Sequence, residues 1–172
     1  FDVAVFNNLS IEHMDFHKNM DNYFDAKMIL FENAKKKIAN VDDEYGRKAK
    51  ARFEDTYTFS LENESDFRAE NVELIDGKMH FEIKNVKFVL NRFAMFDVYN
   101  AVAAIAAVNL LGYEMEDIAK ALESFTGVEA RFEFVKNDLR INIVIDFAHT
   151  PKAFENIYKS VPNDKRKIAV YG

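Results

Sequence analysis

Short apolar runs alternate with helix-length segments along this chain, and this alternation restricts the fold more than any other feature. The first run, DVAVF, covers residues 2–6, and a loop at 7–18 leads to an amphipathic segment at 20–34. A second run covers residues 37–40. Strand, helix and strand in this order are typical of a parallel sheet covered by helices. The sequence therefore predicts an α/β fold.

Residues 141–147, INIVIDF, extend this prediction because the run is apolar on both faces, as in a central strand of a parallel sheet. Residues 131–135 precede it as the first arm of a hairpin. Thr150 and Pro151 have the residue types of an N-cap and a first helical position. A last strand is expected at 167–171. The predicted helices lie at residues 42–50, 95–111, 115–125 and 151–160.

Residues 52–91 have a different pattern, with alternating β-branched, aromatic and polar side chains. Asp76-Gly77 is a typical hairpin dipeptide. We interpret this region as an antiparallel subregion of the domain. The predicted architecture is a mostly parallel, Rossmann-like sheet flanked by helices, with a small antiparallel sheet.

Composition limits the classes of function. The chain has 172 residues, 49% of them hydrophobic, and only five Gly and two Pro, which is typical of a globular domain. The net charge of −6, without a basic stripe, argues against nucleic-acid binding. The absence of Cys excludes disulfides and thiolate zinc sites. The longest apolar run, around 101–108, is too short to cross a bilayer, and no signal peptide opens the chain. Both ends lie on strand patterns, so we expect a piece of a longer polypeptide.

Lys27 is the first candidate site residue, because helical spacing places it within an apolar stripe. A desolvated lysine amine is more often neutral and can react with carbon dioxide to give a carbamate, an oxygen ligand for a hard cation. The ordinary alternative is a lysine that is paired or that extends to solvent. His13 and His17 bracket Asp15 just upstream, which alone is a weak metal signal. The stripe consists of Met20, Tyr23, Phe24, Leu30, Phe31 and Ala34.

Four more residues are candidates for ligand binding. Asp146 and His149 follow an apolar strand at the start of a helix, where α/β proteins bind ligands. The alternative is that Asp146 and Thr150 only cap the turn. Arg131 suits a bidentate phosphate contact or an ordinary surface ion pair. Asn100 suits a base edge or a hydrogen bond to a neighbouring loop. No G-K-[ST] phosphate loop occurs, so these residues alone indicate an α/β ligand-binding domain and no particular reaction.

Taken together, several motifs resemble the central ATP-binding domain of the Mur ligases, over nearly the whole chain. Within that family the strings are most similar to the branch that adds the third amino acid of the peptidoglycan stem peptide. Residues 52–91 match only in general character. The motifs are DVAVFNNLSIEHMDFH with NYFDAK, NVDDEYG, FDVYNAVAAIAAVNLLGY with EDIAKALESFTGV and RFE, and VIDFAHTPKAFENI.

The resemblance implies a role for each candidate. His13 would bind magnesium, and Lys27, carbamylated, would engage a second magnesium ion. Asn100 would contact adenine, Arg131 would approach the ATP phosphates, and Asp146 and His149 would hold the nucleotide. The implied reaction uses ATP and Mg²⁺ to join a free amino acid to a UDP-N-acetylmuramoyl-dipeptide through an acyl-phosphate. The resemblance also implies a monomer in the bacterial cytoplasm, without membrane insertion or a nucleic-acid partner.

The sequence departs from the family pattern at two places near the predicted nucleotide site. Asp97 stands where the family commonly has Asn, and Glu129-Ala130 where it has Pro-Gly. The family's phosphate loop and catalytic Glu are expected before Phe1 and its amino-acid-selecting domain after Gly172, so we expect the chain alone to be inactive. The alternatives are another Mur ligase, folylpolyglutamate synthetase, or a non-catalytic α/β binding module. The identity of the added amino acid stays open.

Overall fold

A computed structural model describes residues 1–12, 14–161 and 166–170. The chain divides into two compact units, Phe1–Thr126 and Gly127–Gly172. The strands of the first unit are β1 (Val3–Phe6), β2 (Lys36–Asn40), β3 (Thr56–Ser60), β4 (Phe67–Arg68), β5 (Glu70–Ile75), β6 (Lys78–Ile83) and β7 (Val86–Leu90). Its helices are α1 (Met14–His17), α2 (Met20–Glu32), α3 (Glu44–Arg52), α4 (Met95–Leu110) and α5 (Met115–Glu123). The predicted α/β fold is confirmed.

The central layer of this unit is a parallel sheet in the order β1-β2-β3-β4. Neighbouring residues of β2 face opposite sides: Ile38 belongs to the buried cluster that includes α4, and Ala39 to the cluster that includes α2. Each cluster buries large side chains, and each such side chain contributes about 1.5–3 kcal/mol to folding. Helices therefore cover both faces, which leaves the edge at the carboxyl ends of the strands as the place for polar groups.

The second layer of strands is an antiparallel sheet in the order β5-β6-β7. Asp76 and Gly77 both have positive φ, 50° and 77°, as a tight two-residue turn between β5 and β6 requires, so the predicted hairpin is confirmed. The antiparallel prediction for 52–91 is wrong for its first part, because β3 and β4 pair in parallel. Every residue of β3 except Tyr57 is buried, which suits an interior strand of the parallel sheet.

The second unit contains a two-stranded antiparallel hairpin, β8 (Glu133–Val135) and β9 (Ile143–Ile145), followed by helix α6 (Pro151–Ser160). The predicted N-cap is confirmed, since the Thr150 hydroxyl accepts a hydrogen bond from the Ala153 N–H at 3.3 Å. The central parallel strand predicted at 141–147 is wrong. Among the described residues β9 pairs only with β8, and Ile145 and Phe147 are 47% and 61% exposed.

The last strand prediction is also wrong over the part that the structure describes. Residues 166–170 form no strand, and Tyr171 lies outside the described residues. Within the described ranges, no helix has both the length and the apolar character needed to cross a membrane. The helices at 42–50, 95–111, 115–125 and 151–160 are confirmed within one or two residues at nearly every end.

Candidate functional site

A cluster of hydrogen bonds surrounds the Asp42 carboxylate at the carboxyl edge of the parallel sheet. Asp42 follows β2, and Ser60 ends the neighbouring strand β3. The carboxylate accepts hydrogen bonds from the Ser60 hydroxyl at 2.5 Å, the Leu61 N–H at 2.8 Å and the Asn63 amide at 2.7 Å. The Glu62 N–H donates a fourth, at 3.3 Å, and the Tyr99 hydroxyl of α4 donates a fifth, at 2.9 Å. We call Asp42 and these five donors the Asp42 cluster.

The charge state of Asp42 follows from these contacts. Burial opposes ionisation, but the hydrogen bonds from Ser60, Leu61, Asn63 and Tyr99 outweigh it, so the pKa of Asp42 is lowered. Burial, and then the hydrogen bond to the carboxylate, raise the pKa of Tyr99. At neutral pH the pair is therefore a carboxylate and a neutral phenol, the arrangement of a charge-assisted hydrogen bond.

The next residue, Asp43, anchors different segments. Its carboxylate caps α3 by accepting hydrogen bonds from the Tyr45 N–H at 2.9 Å and the Gly46 N–H at 3.2 Å. The Leu9 N–H, in the loop after β1, also favours the ionised carboxylate. Burial raises the pKa of Asp43, and these N–H groups only partly oppose it. Asp43 thus fixes the start of α3 beside the carboxylate that holds α4.

The prediction that Lys27 lies on the apolar face of its helix is wrong. The buried face of α2 consists of Tyr23, Phe24, Met28 and Phe31, and Lys27 is exposed. Lys27 lies one helical turn after Tyr23 and next to Met28, at the border of that face, and its long chain reaches solvent. Its Nζ lies 5.2 Å from the centroid of the Tyr23 ring. The desolvation inferred from spacing is therefore absent.

His17 joins the same group of side chains. Its ring stacks on Tyr23 with a centroid distance of 4.5 Å and an interplanar angle of 16°. Tyr23 thus contacts both His17 and Lys27 at the start of α2, while His13 lies outside the described residues. The described ranges contain no group of three or more His, Asp or Glu suited to a metal. Magnesium does not require one, because it commonly takes one or two protein carboxylates together with waters and substrate phosphates.

Asn100 lies in the second turn of α4, exposed, and directly after Tyr99 of the Asp42 cluster. The preceding turn is fixed by an ion pair between the Arg92 Nε and Asp97, at 3.1 Å. Both side chains are nearly buried, 11% and 14% exposed. Asp97, a departure from the family pattern, therefore has an identified partner in this chain.

In the second unit, three of the predicted site residues lie close to Phe147 in space or in sequence. Asp146 accepts hydrogen bonds from the Phe132 N–H at 2.8 Å and the Ala148 N–H at 2.6 Å. The Arg131 guanidinium lies 4.8 Å from the Phe147 ring centroid. The His149 Nδ1 lies 3.0 Å from the Phe147 carbonyl oxygen. Asp146 therefore fixes backbone in this structure, as the turn-cap alternative anticipated.

Ala130 shows the effect of the second departure. Its φ is 56°, in the left-handed region, which costs a non-glycine residue roughly 1–2 kcal/mol. Glycine, common at this place in the family pattern, adopts that conformation without the penalty. The backbone beside Arg131 thus keeps the shape that glycine favours.

The Asp42 cluster is what sequence reasoning missed. The motif NVDDEYG contributed to the resemblance, but no role was predicted for Asp42 within it. A usable signal was present, because Asp42 lies two residues after the end of β2 and Ser60 ends β3, and a parallel sheet brings these strand ends side by side. Tyr99 and Asn63 carried no such signal, since their approach depends on how α4 and a loop pack.

Comparison with known proteins identifies the family. A family model described as the Mur ligase middle domain matches residues 1–108. The chain belongs to this family. It is 38% identical, over its whole length, to the UDP-N-acetylmuramoyl-L-alanyl-D-glutamate–2,6-diaminopimelate ligase of Clostridium botulinum, and it spans 38% of the length of that relative.

Two solved structures share the Mur ligase fold. A pseudomurein peptide ligase type C from Methanothermus fervidus matches with a TM-score of 0.80 and 23% identity, covering 95% of this chain and 42% of that one. The MurF ligase of Thermotoga maritima, in complex with ADP, matches with a TM-score of 0.77 and 23% identity, covering 92% and 38%. At this identity the likeness establishes the fold.

Proposed function

We propose that the chain is the ATP-binding middle part of a ligase that adds an amino acid to UDP-N-acetylmuramoyl-L-alanyl-D-glutamate in peptidoglycan synthesis. The observation that carries the proposal is the match of the whole chain, at 38% identity, to a ligase of that name. The whole enzyme would act as a monomer in the bacterial cytoplasm.

The proposed residue roles follow the motifs. Lys27, as a carbamate, and His13 would bind magnesium, which would offset the charge of the phosphates and the substrate carboxylate. Asn100 would contact adenine from an exposed position on α4. Arg131, Asp146 and His149 would hold the nucleotide.

The proposed reaction has two steps. A carboxylate oxygen of the UDP-linked dipeptide attacks the γ-phosphorus of ATP, and the bond from that phosphorus to the β,γ-bridging oxygen breaks, releasing ADP. The amine of the incoming amino acid then attacks the acyl carbon, loses a proton and displaces phosphate, which leaves the amide. A reaction of this type depends mainly on positioning and on stabilising charge.

The test is an assay of a full-length protein that carries this chain. With ATP, Mg²⁺ and UDP-N-acetylmuramoyl-L-alanyl-D-glutamate, we expect ADP release that depends on diaminopimelate or lysine, with the tripeptide product identified by mass spectrometry. Activity on UDP-N-acetylmuramate, or on its monopeptide or tripeptide, would instead favour another Mur ligase. Activity on a folate with glutamate would favour folylpolyglutamate synthetase. No ATP turnover with any of these acceptors would favour a non-catalytic binding module.

The isolated 172-residue chain is expected to bind ATP only weakly. It carries the proposed adenine contact but no G-K-[ST] loop, whose backbone N–H groups and lysine supply most of the phosphate contacts in such enzymes. Titration of Mg-ATP in a calorimeter should therefore give a dissociation constant above about 100 μM, a free energy weaker than about −5.5 kcal/mol. Binding in the low micromolar range would contradict this expectation.

A further inference from the structure

The Asp42 cluster has no role in the proposed chemistry, yet it joins the predicted adenine contact to the sheet. Tyr99 and Asn100 are consecutive residues in the second turn of α4. Consecutive helical residues differ by about 100° around the helix axis, so they do not share a face. The Tyr99 hydroxyl is bound to Asp42, and Asn100 is exposed.

We propose that Asp42 is a positioning residue for the nucleotide. By accepting the hydrogen bond from the Tyr99 hydroxyl, it fixes the orientation of this α4 turn about the helix axis and its distance from the sheet. The same turn presents Asn100. This inference rests on the proposed function, because it needs Asn100 to contact the base. In this proposal, neither Asp42 nor Tyr99 contacts the nucleotide.

The anchoring of Asp42 itself supports this role. Ser60, Leu61 and Asn63 bind the carboxylate from the end of β3 and the loop that follows. Ser60 and Asn63 donate to Oδ1, and the N–H groups of Leu61 and Glu62 donate to Oδ2, the oxygen that also accepts the Tyr99 hydroxyl. The carboxylate that holds Tyr99 is therefore itself fixed to β3 and the loop after it. The bond to Tyr99 joins residues 57 positions apart, so it fixes α4 against the sheet and not against its own neighbours in sequence.

The contacts of the neighbouring Asp43 indicate that loss of the Tyr99 hydrogen bond affects nucleotide binding and not the magnesium site. Asp43 caps α3, and its charge is favoured by the Leu9 N–H in the loop that leads to the predicted magnesium ligand His13, whereas Asp42 holds Tyr99. Loss of the Tyr99 bond should therefore weaken nucleotide binding without changing the magnesium requirement. A general loosening of the fold would affect both.

The test compares Tyr99→Phe, Asp42→Asn and Asn100→Ala in a full-length protein that carries this chain. Tyr99→Phe removes one hydroxyl and leaves the other donors of the cluster in place. We expect the dissociation constant for the ATP analogue AMP-PNP, with Mg²⁺, to rise about fivefold, and the KM for ATP to rise with it while kcat stays within about twofold. Tyr57→Phe is the matched control, since Tyr57 is a partly exposed tyrosine on β3, and it should change neither constant.

A double-mutant cycle separates positioning from simple stabilisation. If Tyr99 acts through Asn100, adding Tyr99→Phe to Asn100→Ala should raise the dissociation constant by less than about twofold. A fivefold rise in both backgrounds would overturn the inference. So would unchanged affinity in Tyr99→Phe when Asn100→Ala binds weakly, and that outcome leaves the proposed function intact. Unchanged affinity in Asn100→Ala would overturn the adenine contact, and this inference with it.

Discussion

Replacing Lys27 with alanine is expected to lower the kcat of the full-length ligase about a thousandfold or more. Under the proposed function, a carbamate at this position would supply an anionic oxygen to a metal ion that would offset charge on the transferring phosphoryl group. A loss of about 4 kcal/mol of transition-state stabilisation corresponds to a thousandfold fall in rate. Steady-state release of ADP with saturating substrates measures it.

Lys27→Arg distinguishes the carbamate from a role as a simple cation. The guanidinium keeps the positive charge and the contact with the Tyr23 ring, but it stays protonated and does not form a carbamate. The proposal therefore predicts that Lys27→Arg is as inactive as Lys27→Ala. Substantial activity in the arginine variant would show that only the charge matters.

Lys48 provides a matched control for this experiment. Its Nζ lies 4.3 Å from the centroid of the Tyr45 ring, the same kind of contact that Lys27 makes with Tyr23. It also pairs with Glu44 on the surface of α3, where solvent screens the interaction. Lys48→Ala should therefore leave kcat within about twofold of the parent enzyme.

Gly46→Ala is expected to lower the free energy of unfolding of the chain by about 3 kcal/mol or more. A Cβ at this position would lie 1.7 Å from the Asn40 carbonyl oxygen and 2.7 Å from its carbon. Both are backbone atoms at the end of β2, so the clash is relieved only by moving α3 away from the sheet. We expect this movement to cost more free energy than ordinary overpacking of a core. Urea denaturation followed by far-UV circular dichroism measures the change.

Gly112→Ala is the control, because it introduces backbone strain without a steric clash. Gly112 follows α4 with φ of 103°, and a Cβ there would meet no atom within 4 Å. Its replacement should cost only about 1–2 kcal/mol, the penalty for a side chain in the left-handed region. If Gly46→Ala were no more destabilising than Gly112→Ala, the close approach of α3 to β2 would be incorrect.

The local part of the fold was predictable because its signals are local. Asp43 lies three residues before Gly46 in a capping pattern, and Asp76-Gly77 specifies a two-residue hairpin turn. Lys27 was harder, because a residue at the border of a helix face is buried or exposed according to the direction of a flexible side chain. Spacing places the backbone of such a residue and does not place its terminal amine.

The predictions that failed concern pairing between distant segments. INIVIDF has the composition of an interior strand, but pairing depends on which strands are available beside it, and composition does not specify them. The Asp42 cluster was missed for the same reason. It joins the end of β2, the end of β3 and the second turn of α4, so it exists only once the register of the sheet and the packing of α4 are set.

Arg92 and Asp97 form a nearly buried ion pair, so the effect of a substitution at either position depends on the residue at the other. Returning Asp97 to the asparagine common in the family would remove the negative charge that balances a guanidinium only 11% exposed, and breaking a buried pair on one side costs about 3–5 kcal/mol. Neutralising Arg92 first would instead remove the cation that pairs with the Asp97 carboxylate. The two positions are therefore coupled, and a substitution at either one is less damaging when its partner changes with it.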